Sequence, residues 1–116
     1  MNAPLHREMP GAPAWDAAAA LDQIGRQWDG DIVRRLFDYI AIPAKSLAFD
    51  PDWAAHGFID RVVRDAAQWV ESQKVPGLKL EVVRIDGRTP VIFFEIEGTK
   101  AGAAQTVLMY GHLDKQ

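Results

Sequence analysis

Residues Thr106-Val107-Leu108-Met109-Tyr110 form a nearly continuous apolar run, followed at once by Gly111-His112-Leu113-Asp114-Lys115-Gln116. A strand that is apolar on both faces is stable only when layers cover both, which is the environment of a central strand in an α/β sheet. Such a strand needs a hydrogen-bonded neighbour on each edge and helices above and below. The upstream sequence offers two or three helices and two further strands. The six residues after Tyr110 leave no room for the crossover helix that normally follows a parallel strand. The chain is therefore expected to be truncated within a larger sheet.

A length of 116 residues is one domain's worth at most. With 48% apolar and 25% charged residues, the composition is that of a chain able to build a core. Thirteen Lys and Arg stand against sixteen Asp and Glu, a formal net charge of −3, with no basic run to track a phosphate backbone. Nucleic acid is not an expected partner. No segment approaches the ~20 apolar residues of a membrane span, and the start lacks a basic stretch followed by an apolar one. Neither a membrane nor secretion is expected, and the default location is the cytoplasm. Cysteine is absent, which excludes disulfides, thiolate nucleophiles and cysteine-held zinc. Any metal would need His, Asp or Glu.

Residues 1–13, with Pro4, Pro10, Gly11 and Pro13, read as a disordered lead-in, and residues 14–116 as the folded part. Ala14 to Gln27 is Ala-rich and helix-prone. Asp29-Gly30-Asp31 reads as a helix start, after which Ile32, Leu36, Phe37 and Ile40 recur on one face, expected to be a core face, with Arg34 and Arg35 solvated. Pro43 forbids continuation through Ile42, so Ile42 to Ser46 is an extended loop. Asp50 and Pro51 suit the N-cap and first position of a further helix whose core face would hold Phe58, Val62, Ala66, Trp69 and Val70, ending at Val75-Pro76-Gly77. Leu78 to Ile85 and Val91 to Ile96 read as strands joined by an Asp86-Gly87 turn, with Pro90 at a strand start. Gly98 and Gly102 mark a loop before the third strand. Trp15, Trp28, Trp53 and Trp69 are dispersed and read as packing anchors.

The chemistry concentrates in Gly111-His112-Leu113-Asp114. Groups that leave the carboxyl end of a strand enter the crevice where α/β proteins bind ligands. In extended chain, residues two apart project to one side, so His112 and Asp114 would share a wall. A metal-binding His commonly donates its second ring N–H to a carboxylate, which fixes its tautomer. Spacing alone equally allows a histidine that only braces a strand end by a hydrogen bond. His56, off the apolar stripe, reads as solvated or as a surface hydrogen bonder, and His6 falls in the lead-in.

Three stretches in this order, Ile40-Ala41-Ile42-Pro43-Ala44-Lys45-Ser46, Arg88-Thr89-Pro90-Val91-Ile92 and Val107 to Gln116, resemble the N-terminal part of one family. It is the family of zinc metallopeptidases and deacylases that includes carboxypeptidase G, carnosine dipeptidase, acetylornithine deacetylase and succinyl-diaminopimelate desuccinylase. The resemblance covers about Trp28 to Gln116, and Tyr110-Gly111-His112-Leu113-Asp114 is its specific part. It implies an α/β fold of N-terminal helices, a β-hairpin and a central strand, the first part of a mixed-sheet, two-zinc, aminopeptidase-like catalytic domain. The implied activity is hydrolysis of an amide bond in a dipeptide or N-acyl amino acid by a hydroxide that two zinc ions activate. His112 matches a zinc ligand, and Asp114 the catalytic acidic residue that orients it. The remaining ligands and the general base match nothing before Gln116, so the fragment alone is expected to be inactive. A homodimer through a domain absent here is also implied. The Asp114-Lys115-Gln116 ending is similar to the dipeptidase-like branch, although the family's usual residue after the Asp is apolar and here it is Lys115.

Two other classes stay open on the residues alone. One is a small non-catalytic α/β binding module in which His112 and Asp114 are structural. The other is an interaction protein that lends its strand edge to another chain.

Overall fold

The structure is a computed structural model that describes residues 15–98 and 105–115. It is a small mixed α/β fold with a two-stranded antiparallel sheet. The helical elements are α1 (Ala17–Gln27), a π-helical turn (Trp28–Ile32), α2 (Val33–Ala41), α3 (Trp53–His56) and α4 (Phe58–Ser72), followed by β1 (Leu78–Val83) and β2 (Val91–Ile96). The expected lead-in lies outside the described residues. No helix among the described residues is long and apolar enough to cross a membrane. Two compact units divide the chain after Phe37, within α2.

In the first unit Asp16 caps α1, its carboxylate accepting the Ala19 amide at 2.9 Å. The expected helix start at Asp29-Gly30-Asp31 does not occur. The helix runs on through the π turn, in which the Val33 N–H reaches back five residues to the Trp28 carbonyl. The Asp31 carboxylate is held by Arg35 Nε, at 2.7 and 2.8 Å, one turn further on, and so serves an i,i+4 ion pair. The expected core face of this helix is also corrected, because Leu36, Phe37 and Ile40 are exposed.

The second unit is built on a small core of Ile42, Ala44, Ile59, Val62 and Val63, with Tyr39, Trp53, Phe58, Val82, Ile92 and Leu113 packed around it. Trp53 thus packs against the core as expected, whereas Trp15, Trp28 and Trp69 are exposed. The single helix expected after Asp50 is two helices. Gly57, at φ 71°, takes the left-handed conformation that ends α3, and α4 restarts behind it. The buried face of α4 is Ile59, Val62, Val63 and Ala67, so of the expected stripe only Val62 is buried. Asp50 does not cap by its side chain, since its carboxylate faces His56 Nδ1, 2.9 Å from both oxygens.

The hairpin follows the sequence closely. Strands β1 and β2 pair from Leu78↔Ile96 to Val83↔Val91, and Gly87, at φ 69°, supplies the turn. Val82 and Ile92 face each other directly and together meet the core. On the other face Lys79 bridges Glu95 and Glu97. The expected third strand does not form. Thr106 to Tyr110 has no regular structure, and Val107, Leu108, Met109 and Tyr110 are 85–92% exposed. No ladder reaches this run among the described residues, so its backbone groups have nothing to pair with as a strand.

Burial of Val62 and exposure of Phe37 predict opposite results for truncation. Val62→Ala should lower the unfolding free energy by about 2 kcal/mol, the two lost methyl groups plus the cavity they leave. Phe37→Ala should change it by less than about 0.5 kcal/mol. Urea denaturation of each variant measures both.

The hydrogen bond to Asp50, assisted by its negative charge, holds the His56 pKa above the usual imidazole value. A raised folded-state pKa gives stability that is fully present below about pH 6.5 and lost as pH rises through the raised value. Denaturation midpoints should therefore fall across that window, and His56→Gln should remove this component of the pH dependence.

Candidate functional site

The end of the described chain is tied to the segment after α2. Pro43 keeps Ile42 to Ser46 from continuing the helix, and two successive narrow turns form there: Ala44 N–H to the Ile42 carbonyl at 2.8 Å and Lys45 N–H to the Pro43 carbonyl at 3.0 Å. Lys115 pairs with Lys45 in a parallel bridge. Its N–H donates to the Ala44 carbonyl at 2.8 Å and its carbonyl accepts from the Ser46 N–H at 2.9 Å.

Side chains reinforce this pairing. The Lys115 ammonium donates to the Tyr39 carbonyl at 2.8 Å and the Ile42 carbonyl at 2.6 Å, and lies 4.0 Å from the centre of the Tyr39 ring. It therefore answers carbonyls at the C-terminal end of α2, where a cation is also favoured by the helix dipole. Burial pushes the Lys115 amine below the usual lysine range. In return, the Tyr39 hydroxyl donates to the Leu113 carbonyl at 2.5 Å. Burial first, and then the negative charge of Asp114, push the Tyr39 phenol upward, so it remains a donor at neutral pH.

His112 and Asp114 are brought together as the spacing suggests. His112 Nδ1 lies 3.1 Å from Asp114 Oδ1 and 3.1 Å from the Asp114 backbone carbonyl oxygen. Both neighbours are acceptors, so the ring proton belongs on Nδ1 and the Nε2 lone pair is left for a ligand. The His112 side chain is 66% exposed and that of Asp114 is 36% exposed. A neutral imidazole held by a carboxylate is the form in which histidine binds zinc, so the pair fits one ligand and its orienting partner. Among the described residues no group of three or more His, Asp or Glu side chains could complete such a site.

A second His-Asp pair, His56 with Asp50, fits the expected surface hydrogen bonder, the His56 side chain being 51% exposed. Tyr39 and Lys115 are the contributors to the candidate site that sequence reasoning missed. The signal available was Lys115 itself, a cation directly after the Gly111-His112-Leu113-Asp114 block. Comparison with known protein families and with curated proteins finds no match to this chain.

The Tyr39 hydroxyl gives this end of the molecule a spectroscopic handle. In an alkaline titration followed by tyrosinate absorbance, one component should ionise above about pH 10 and disappear in Tyr39→Phe. The same variant should lose about 1 kcal/mol of stability in urea, the net value of the hydrogen bond to Leu113.

Proposed function

We propose that this chain is the N-terminal part of a zinc-dependent metallopeptidase or deacylase, a hydrolase of dipeptides or N-acyl amino acids, with His112 as a metal ligand and Asp114 as the residue that orients it. The observation that carries the reading is the contact of His112 Nδ1 with Asp114 Oδ1 at 3.1 Å, directly after the apolar run. The exposure of Val107 to Tyr110 supports it as well, because four consecutive large apolar side chains call for a covering layer. A catalytic domain of which this chain is one part would provide that layer. A self-sufficient binding module would leave the run in water.

In this reading the chain performs a limited task. Asp114 accepts a hydrogen bond from Nδ1–H, which fixes the tautomer and raises the basicity of the ring, and His112 presents Nε2 to the metal. Zinc, when bound, supplies a Lewis acid that polarises the scissile carbonyl and makes water acidic enough to attack at neutral pH. Catalytic zinc takes about three protein ligands, so the other ligands, the second zinc site and the general base belong to parts of the enzyme other than these residues. The reading locates the enzyme in the cytoplasm, with dimerisation through a separate domain.

The test is made in a protein that carries this segment together with the rest of the catalytic domain. His112→Ala should lose zinc by elemental analysis and most of the amide-hydrolysing activity. Asp114→Asn should lower metal affinity or activity by about 10–100-fold, with partial rescue by added zinc. The 116-residue chain by itself should show no zinc-dependent turnover. Wild-type zinc content and activity in His112→Ala would overturn the assignment.

A further inference from the structure

We propose that Lys115 is a positioning residue for His112, tethering the peptide that holds the imidazole to the end of α2. The inference rests on the reading of His112 as a ligand, and its geometry lies in a single peptide unit. The Asp114 carbonyl oxygen is 3.1 Å from His112 Nδ1, while the N–H of that same peptide, belonging to Lys115, donates to Ala44 at 2.8 Å. In a trans peptide these groups point in opposite directions, so the ring is held on one side and the core on the other. Ala44 is completely buried, which makes its carbonyl a fixed anchor.

The ammonium secures this peptide against rotation. It spends two donors on the Tyr39 and Ile42 carbonyls and covers the Tyr39 ring, whose hydroxyl returns to Leu113, the residue between His112 and Asp114. Leu113 itself packs against the core. An apolar side chain at position 115 could pack there but could not answer the two carbonyls. A histidine as exposed as His112 has few contacts of its own, so its orientation depends on the backbone that carries Asp114.

The test uses the 116-residue chain labelled with nitrogen-15, with the His112 tautomer read by NMR where the imidazole is neutral. The wild type should favour the proton on Nδ1. Lys115→Met should shift the tautomer ratio toward Nε2–H by about fivefold and speed exchange of the amide at position 115 by at least about tenfold, the factors carried by a neutral and a charge-assisted hydrogen bond. Exchange at Val62 and Val63, in the core of α4, should speed up less than exchange at position 115. Lys115→Arg, which keeps a charged donor, should restore the tautomer at least in part. If Lys115→Met does not fold, Tyr39→Phe, which removes one bond of the same tether, should move the ratio in the same direction. An unchanged tautomer in a folded Lys115→Met chain, or in Tyr39→Phe should that variant be the one read, overturns the tether. A shifted tautomer together with zinc content indifferent to His112→Ala in the complete protein overturns the ligand reading and leaves the tether standing.

Discussion

The second unit depends on the conformational constraint that Pro43 places on its neighbours. Because the chain cannot continue as helix through Ile42, it leaves the helix through two narrow turns, and Ile42 and Ala44, two residues apart, both enter the core against Ile59, Val62 and Val63 of α4. Pro43 and Lys45 between and beyond them face outward. The same change of direction leaves the carbonyls at the end of α2 and the polar groups of Ala44 and Ser46 without helical partners. Buried or half-buried groups of this kind must be satisfied, and Lys115 satisfies them with its backbone and its ammonium together. A loop defined by what proline forbids thus becomes the receptor for a segment about 70 residues later in the chain.

The cost and the gain at Lys115 can be compared in kind. Taking an ammonium partly out of water is unfavourable, as the lowered pKa records. Two carbonyl acceptors, the helix dipole and the Tyr39 ring each favour the charged form, and none requires a second ionised group to be buried. Asp114 lies next in sequence but directs its carboxylate to His112. The two charges thereby serve separate ends: the lysine fixes the backbone, and the aspartate fixes the ring.

How far the sequence discloses this arrangement depends on the range of the interaction. Strand β2 from Val91 to Ile96, the Gly87 turn and the end of α2 ahead of Pro43 are set by neighbours in sequence, and local pattern reads them correctly. The contact between His112 and Asp114 joins residues two apart in sequence, the separation from which it was read. The buried face of α4 is misread because apolar residues lie on more than one side of this helix, Phe58, Ala66, Trp69 and Val70 as well as Ile59, Val62, Val63 and Ala67, and periodicity alone does not choose which of them meet the core. The π turn at Trp28–Ile32 is misread because Asp31 can act as a cap or as an ion-pair partner, and Arg35 decides between them. The role of Lys115 is invisible locally, since its acceptors are 73 and 76 residues away.

The apolar run and the tethered end form a sharp contrast within one short segment. Val107 to Tyr110 are almost fully exposed, whereas Leu113 to Lys115 are half-buried and hydrogen-bonded to the core unit. Gly111 and His112 stand where one regime passes into the other. A residue at such a junction has its backbone fixed from one side only, the side of Leu113 to Lys115. Burial of four large apolar side chains would release several kcal/mol at about 25 cal/mol per Å². A pair hydrogen bond at an exposed imidazole is worth only about 1 kcal/mol. Under the proposed zinc reading, covering the run would therefore supply most of the free energy of docking, while the orientation of the imidazole stays set by the peptide that Lys115 holds.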